Sequence, residues 1–286
     1  MKLDPEVRQG FDGQIEERWA RRAMASAAAI EARDVVLMVE QQDGAAIEAL
    51  EWAERFCQAA GLRLRVTAYS AVEGNMANAP STTHEAVERI LREAAQPGVE
   101  LLIAGPLPSC SSAAQGDVAQ ALLRRCSRPL LFVGPAYERP LVMAATDCSD
   151  PALPVLRAAW QMAAVLGSPI VPVHNIDQTG SQLAERIGMP LSPELADVLA
   201  LRSREWLENA AAVGDVLITR DISNAQGVLN AAQRVDCSLL VVGVKPADQA
   251  PHGTALQILL RCQSSLLLVP LARTTRPLDS TPAVQN

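Results

Sequence analysis

Gly253-Thr254 opens the run GTALQILLRC, whose apolar residues fall at helical spacing, and it follows an apolar strand, SLLVVG, that ends at Gly243. A helix start of that kind offers free backbone N–H groups and the positive end of a dipole, which suits a phosphate. It also reads as a plain helix start whose Thr254 caps its own N–H groups. The loop between holds Pro246, which has no N–H to donate and a fixed φ. Asp147 stands after another apolar strand, PLVMAAT, in the turn DCSD, where an aspartate is an ordinary N-cap. Cys148 beside it sits at a helix start that could activate a thiol, but the carboxylates of Asp147 and Asp150 oppose that shift and leave it inert. His252 reads as a solvated loop residue. His174, at the end of PIVPVHN, reads as a half-buried imidazole, and three histidines in the chain make no metal cluster.

The elements that would position these residues occur twice. GDVAQALLRRCSRPLL (Gly116 to Leu131) and GTALQILLRCQSSLLL (Gly253 to Leu268) agree at eight of sixteen positions without a gap. Upstream, ELLIAGPLP matches SLLVVGVKP, so that Gly105 and Pro108 answer to Gly243 and Pro246. Earlier still, VVLMVEQQDGAAIEALEWAERFCQAAG can be laid on LVMAATDCSDPALPVLRAAWQMAAVLG. The offset grows from 106 (Gly61 to Gly167) to 137 (Gln120 to Gln257), so the second copy carries one more helix and strand, visible as SPELADVLALRSREWLENAA and DVLITRD.

Strands this continuously apolar suit a parallel sheet buried on both faces, and their alternation with helices predicts βαβ crossovers in an α/β layered fold. In the second copy, strands are expected at 140–146, 169–176, 215–220, 238–243 and 265–270. Helices are expected at 152–167, 193–212, 224–234 and 254–262. Trp52 and Trp206 are expected in the core. The predicted organisation is an N-terminal helical extension (1–33), an abridged first domain (34–138), a complete second domain (139–271) and a disordered tail (272–286). The extension, with Phe11, Ile15 and Trp19 on one face, reads as a docked cap or as a dimer contact.

A strand ending in an Asp-x-Ser-Asp turn, followed by DCSLLVVG, a Gly-Thr helix start and a final LLLVP strand, resembles the universal stress protein family in its tandem two-domain form. The resemblance runs from about Asp34 to Pro270. It implies adenine nucleotide alpha hydrolase-like domains, each a five-stranded parallel sheet between helices, and antiparallel pairing of the two last strands, PLLFV and SLLLV. It also implies that Asp147 contacts adenosine, while Gly243, Gly253 and Thr254 belong to a phosphate cradle of the pattern Gly-x-x-Gly-(nine residues)-Gly-[Ser/Thr]. Here Pro246 replaces the second glycine and only six residues separate it from Gly253. In the first copy Gln41 takes the place of Asp147, Pro108 replaces the glycine, and Asp117 stands where Thr254 does, which would repel a phosphate. The expected ligand is therefore ATP, ADP or AMP, held weakly and in the second copy only.

The rest of the chain narrows the function classes. A formal charge of −7 argues against a nucleic-acid surface and gives no attraction to anionic lipid. No apolar stretch approaches the ~20 residues a membrane helix needs, and the N-terminus is too charged for a signal peptide. Six cysteines without a C-x-x-C pair point to reduced thiols in a cytoplasmic protein. G-x-S-x-G, G-x-x-x-x-G-K-[ST] and Ser-Gly-Gly-x-Asp-Ser are all missing. The expectation is a regulatory, protein-contacting stress-response protein, not an enzyme, forming a homodimer and meeting a protein partner the sequence does not name. The alternatives are an ATP-binding sensor with weak hydrolysis and a redox module of the electron-transfer flavoprotein kind.

Overall fold

The structure is a computed structural model, and it describes residues 34–40, 45–69, 82–106, 113–134, 140–148, 152–176, 193–211, 216–221, 223–245 and 253–271. The expected N-terminal helix and tail, the first-copy positions Gln41 and Pro108, and Pro246 and His252 lie outside the described residues.

The first half runs β1 (Asp34–Glu40), α1 (Ala45–Ala60), β2 (Arg63–Tyr69), α2 (Thr82–Ala94), β3 (Val99–Pro106), α3 (Ala113–Arg125) and β4 (Leu130–Val133). The second runs β5 (Val142–Ala145), α4 (Leu153–Leu166), β6 (Ile170–Asn175), α5 (Pro193–Ala211), β7 (Leu217–Thr219), α6 (Asn224–Arg234), β8 (Leu239–Val244), α7 (Thr254–Arg261) and β9 (Ser265–Pro270). The nine strands among the described residues form one sheet in the order β2-β1-β3-β4-β9-β8-β5-β6-β7. Outward from the β4–β9 seam, both halves repeat one order: last strand, penultimate strand, first strand, second strand. The second half adds α5 and β7 beyond it.

Every neighbouring pair is parallel except β4 and β9, which run antiparallel with Leu130 opposite Leu268, Leu131 opposite Leu267 and Phe132 opposite Leu266. The terminal strands thus pair within one chain, as the family resemblance implies. Left apart, each would expose an apolar edge. Gly134 completes the seam: its N–H donates to Ser265 Oγ at 2.9 Å, and a Cβ there would stand 2.6 Å from the Ser265 backbone nitrogen.

The unbroken apolar strands are explained by helices on both faces. Leu102, Leu240, Val242, Leu266 and Leu268 pack toward α2, α3, α6 and α7. Their neighbours Leu101, Ile103, Leu239, Val241, Leu267 and Val269 pack toward α1 and α4. Both clusters cross the seam, so the halves share a core. Trp52 and Trp206 correct one expectation, since both are half-buried at the margin of the α1/α4 cluster. Trp52 stacks on Phe56 with ring centroids 5.1 Å apart.

The shortness of β7 has a cause in β6. Val142 N–H donates to Pro169 O and Thr146 N–H to Val173 O, so the odd-numbered residues of β6 face β5. Pro172 therefore turns its missing N–H toward β7, and the β6–β7 pairing begins only at Val173.

Candidate functional site

In the second half, β5 leads through α4 to β6 on one side, and the chain later returns as β8 on the other. The winding reverses between β5 and β8. In open α/β sheets the crevice beyond the strand ends at such a point is where ligands bind. Asp147-Cys148 lie just past the end of β5, and Gly243, Val244 and Lys245 are the last two residues of β8 and the one that follows.

Asp147 is not an N-cap. Helix α4 starts six residues later, with Ala152 at the cap position, no side-chain cap and a proline in its first turn. The carboxylate is half-exposed, and its Oδ2 stands 3.7 Å from Lys245 Nζ. Cys148 next to it takes a left-handed backbone conformation, φ 56°, which costs a non-glycine residue about 1–3 kcal/mol. Its N–H donates to Thr146 Oγ1 at 3.1 Å, and its thiol to Ser203 O at 3.8 Å. Burial pushes the Cys148 thiol up to about 12, against the opposing Ser203 hydrogen bond and with help from the Asp147 charge. The shift runs in the direction the sequence predicts, with burial ahead of the Asp147 charge as its cause.

Thr254 does not cap either. Gly253 is the cap residue of α7, extended at φ −59° and ψ 150°, and no side chain caps the helix. Helix α6 shows the contrast, since Ser223 Oγ accepts from Gln226 N–H at 3.2 Å. Both capping readings of the candidate residues are therefore set aside by the geometry. Gly243 has a packing reason to be glycine: a Cβ would stand 2.8 Å from Leu271 Cδ1 and 3.0 Å from Val155 Cγ2.

One strand further out, His174 Nδ1 lies 2.9 Å from Thr146 O, so the ring donates from Nδ1 and ties β6 to the chain leaving β5. Asn175 is buried behind it and is fully engaged. Its Oδ1 accepts from Thr219 Oγ1 at 2.8 Å and from Asp221 N–H at 2.9 Å, and its amide donates to Asn224 Oδ1 at 3.3 Å. Gly227 makes room for it, as a Cβ there would fall 2.1 Å from Asn175 Oδ1. The sequence reading missed both Asn175 and Lys245. Lys245 lies two residues past Gly243 in VVGVKPA, the one basic residue in the expected cradle. Among the described residues no three His, Cys, Asp or Glu side chains come together as a metal set, and no helix is long and apolar enough to cross a membrane.

A mostly parallel sheet wound this way, with helices on both faces, is an α/β fold of the adenine nucleotide alpha hydrolase-like type. Residues 140–270 match the sequence model of the Universal stress protein family. A protein of unknown function from Pseudomonas aeruginosa PAO1 shares the fold at a TM-score of 0.53 and 15% identity, over 88% of this chain and 87% of its own. A universal stress protein from Archaeoglobus fulgidus DSM 4304 aligns at a TM-score of 0.46 and 13% identity, over 87% of this chain and 91% of its own. A member of the same family from Burkholderia pseudomallei aligns at 0.36 and 22%, over 48% of this chain and 99% of its own. Comparison with curated proteins gives no match.

Proposed function

We propose that the chain is a tandem protein of the universal stress type, regulatory and protein-contacting, tuned by weak adenine-nucleotide binding in its second half. The observation that carries the reading is Asp147: a half-exposed carboxylate facing Lys245, beside a strained Cys148, just past β5 where the winding reverses. The uncapped start of α7 at Gly253 follows the adjacent strand β8, where it can receive a phosphate. The match of residues 140–270 to the family supports placing the ligand in this half. The repeated strand order supports a tandem origin for the other.

Calorimetry of the full chain with AMP, ADP and ATP tests this reading. Pro246 and the shortened loop remove phosphate donors, and each lost charge-assisted hydrogen bond costs roughly 1.5–3 kcal/mol. The expected result is one site per chain with a dissociation constant near or beyond ~10 μM, and with ATP gaining nothing over ADP. Absence of binding by all three would leave only the partner-contacting role. Homodimerisation through the N-terminal extension is part of the same proposal. Light scattering of the full chain against one beginning at Arg33 checks it, and a monomer in both cases removes the extension as an interface.

A further inference from the structure

We infer that Lys245 makes the second-half site select for phosphate: it neutralises Asp147 when the site is empty and moves to the ligand's phosphate when it is filled. The inference rests on the adenine-nucleotide reading of that site and adds to it the rule by which ligands are sorted.

Three observations lead there. Lys245 Nζ stands 3.7 Å from Asp147 Oδ2, joining the residue that follows β8 to one two positions past β5, across the reversal point. Both side chains are exposed enough to move, at 75% and 49% of their full area. A pair of that kind is held only loosely, so a ligand can break it at small cost. Lys245 is also only eight positions before Gly253, the cap residue of α7, in the sequence.

The consequence is a charge exchange. A neutral nucleoside that hydrogen-bonds Asp147 must compete with an ammonium already there, and it offers that ammonium nothing in return. A nucleoside phosphate brings its own anion to a site that already holds this cation. Lys245 can then leave Asp147 for the phosphate, and the count of ion pairs is unchanged. One charge-assisted hydrogen bond gained on one side and one competitor kept on the other separates the two ligand classes by about tenfold or more. The site becomes one for nucleoside monophosphates and diphosphates over free nucleosides.

Lys245→Met keeps the length of the stem and removes the charge, and the exposed position leaves folding untouched. Adenosine and AMP are titrated into the wild type and into Lys245→Met by calorimetry at low salt, with circular dichroism confirming the fold of both. The wild type should bind AMP at least about tenfold more tightly than adenosine, and the variant should close that gap by weakening AMP and strengthening adenosine. Raising the salt should erode the wild-type preference and leave the variant unaffected. An AMP-to-adenosine ratio that is the same in both proteins would overturn the inference while leaving the nucleotide reading intact. Failure of both proteins to bind either ligand would overturn the two together.

Discussion

The two outer ends of the sheet, and the two glycines Gly105 and Gly243, show how one strand order serves different purposes. In the second half β6 is covered by β7, and the Asn175 network closes that end by binding β6 to β7 and to α6. In the first half β2 carries no further strand among the described residues. Gly105 and Gly243 are aligned in the repeat yet are glycine for unlike reasons. Gly105 has φ 82° where the β3–β4 register shifts, a conformation that only glycine adopts without strain. Gly243 has no such φ and instead yields its side-chain space to Leu271 and Val155. The lesson is that sequence identity between copies fixes the path of the chain and not the job of the residue.

The halves are joined most strongly at the seam, and that is where the largest effect is expected. Leu131 and Leu267 are buried and directly opposite each other. Leu131→Ala should cost about 2–5 kcal/mol in urea unfolding. If the halves share one core, the transition stays single and the double variant with Leu267→Ala is clearly non-additive. Two separated transitions would split the molecule into independent domains.

The outer end of the second half comes next. Gly227→Ala drives a methyl into Asn175, and displacing that amide should cost roughly 1–3 kcal/mol. Asn175→Ala in the Gly227→Ala background should add little, because the network is already lost. Full additivity of the two would show that they do not act through one contact.

The paired glycines give a smaller contrast. Gly105→Ala should cost about 1–2 kcal/mol through backbone strain, whatever surrounds it. Gly243→Ala should cost about 1 kcal/mol through crowding. Removing the crowding side chain with Leu271→Ala should relieve the second substitution and not the first. Chemical denaturation of the three single variants and of the two doubles reads this directly.

Thiol chemistry provides the least intrusive probe of the site. With the Cys148 thiol pushed up to about 12 by burial, only roughly one molecule in ten thousand carries the thiolate at pH 8. Alkylation of Cys148 by iodoacetamide, followed by peptide mass spectrometry, should therefore lag far behind that of a free thiol. Labelling at the rate of a free thiol would mean that the turn around Asp147 opens.

Much of the architecture was legible because it rests on periodicity and on the repeat. The apolar runs, the Gly167 helix end at φ 60° and the added α5–β7 unit follow from pattern, and the seam from the family resemblance. The site was legible only in part. Asp147 and Thr254 read equally well as caps, because capping and ligand contact use the same residue types. Only the backbone shows that Ala152 and Gly253 hold the cap positions. Lys245 and Asn175 escaped notice since each acts across the sheet, on a partner 98 or 44 residues away in the chain. A buried asparagine ending an apolar strand, followed by an Asp-x-Ser-Asn helix start, was the one signal that could have pointed to the second.

The central claim is that the second half alone holds an adenine nucleotide, through Asp147. Titrating ADP into the full chain and into Asp147→Ala by calorimetry tests it most directly. The account predicts one weak site per chain in the wild type, weakened about tenfold or lost in the variant. Two sites per chain, or binding that is tight and indifferent to Asp147→Ala, would contradict it.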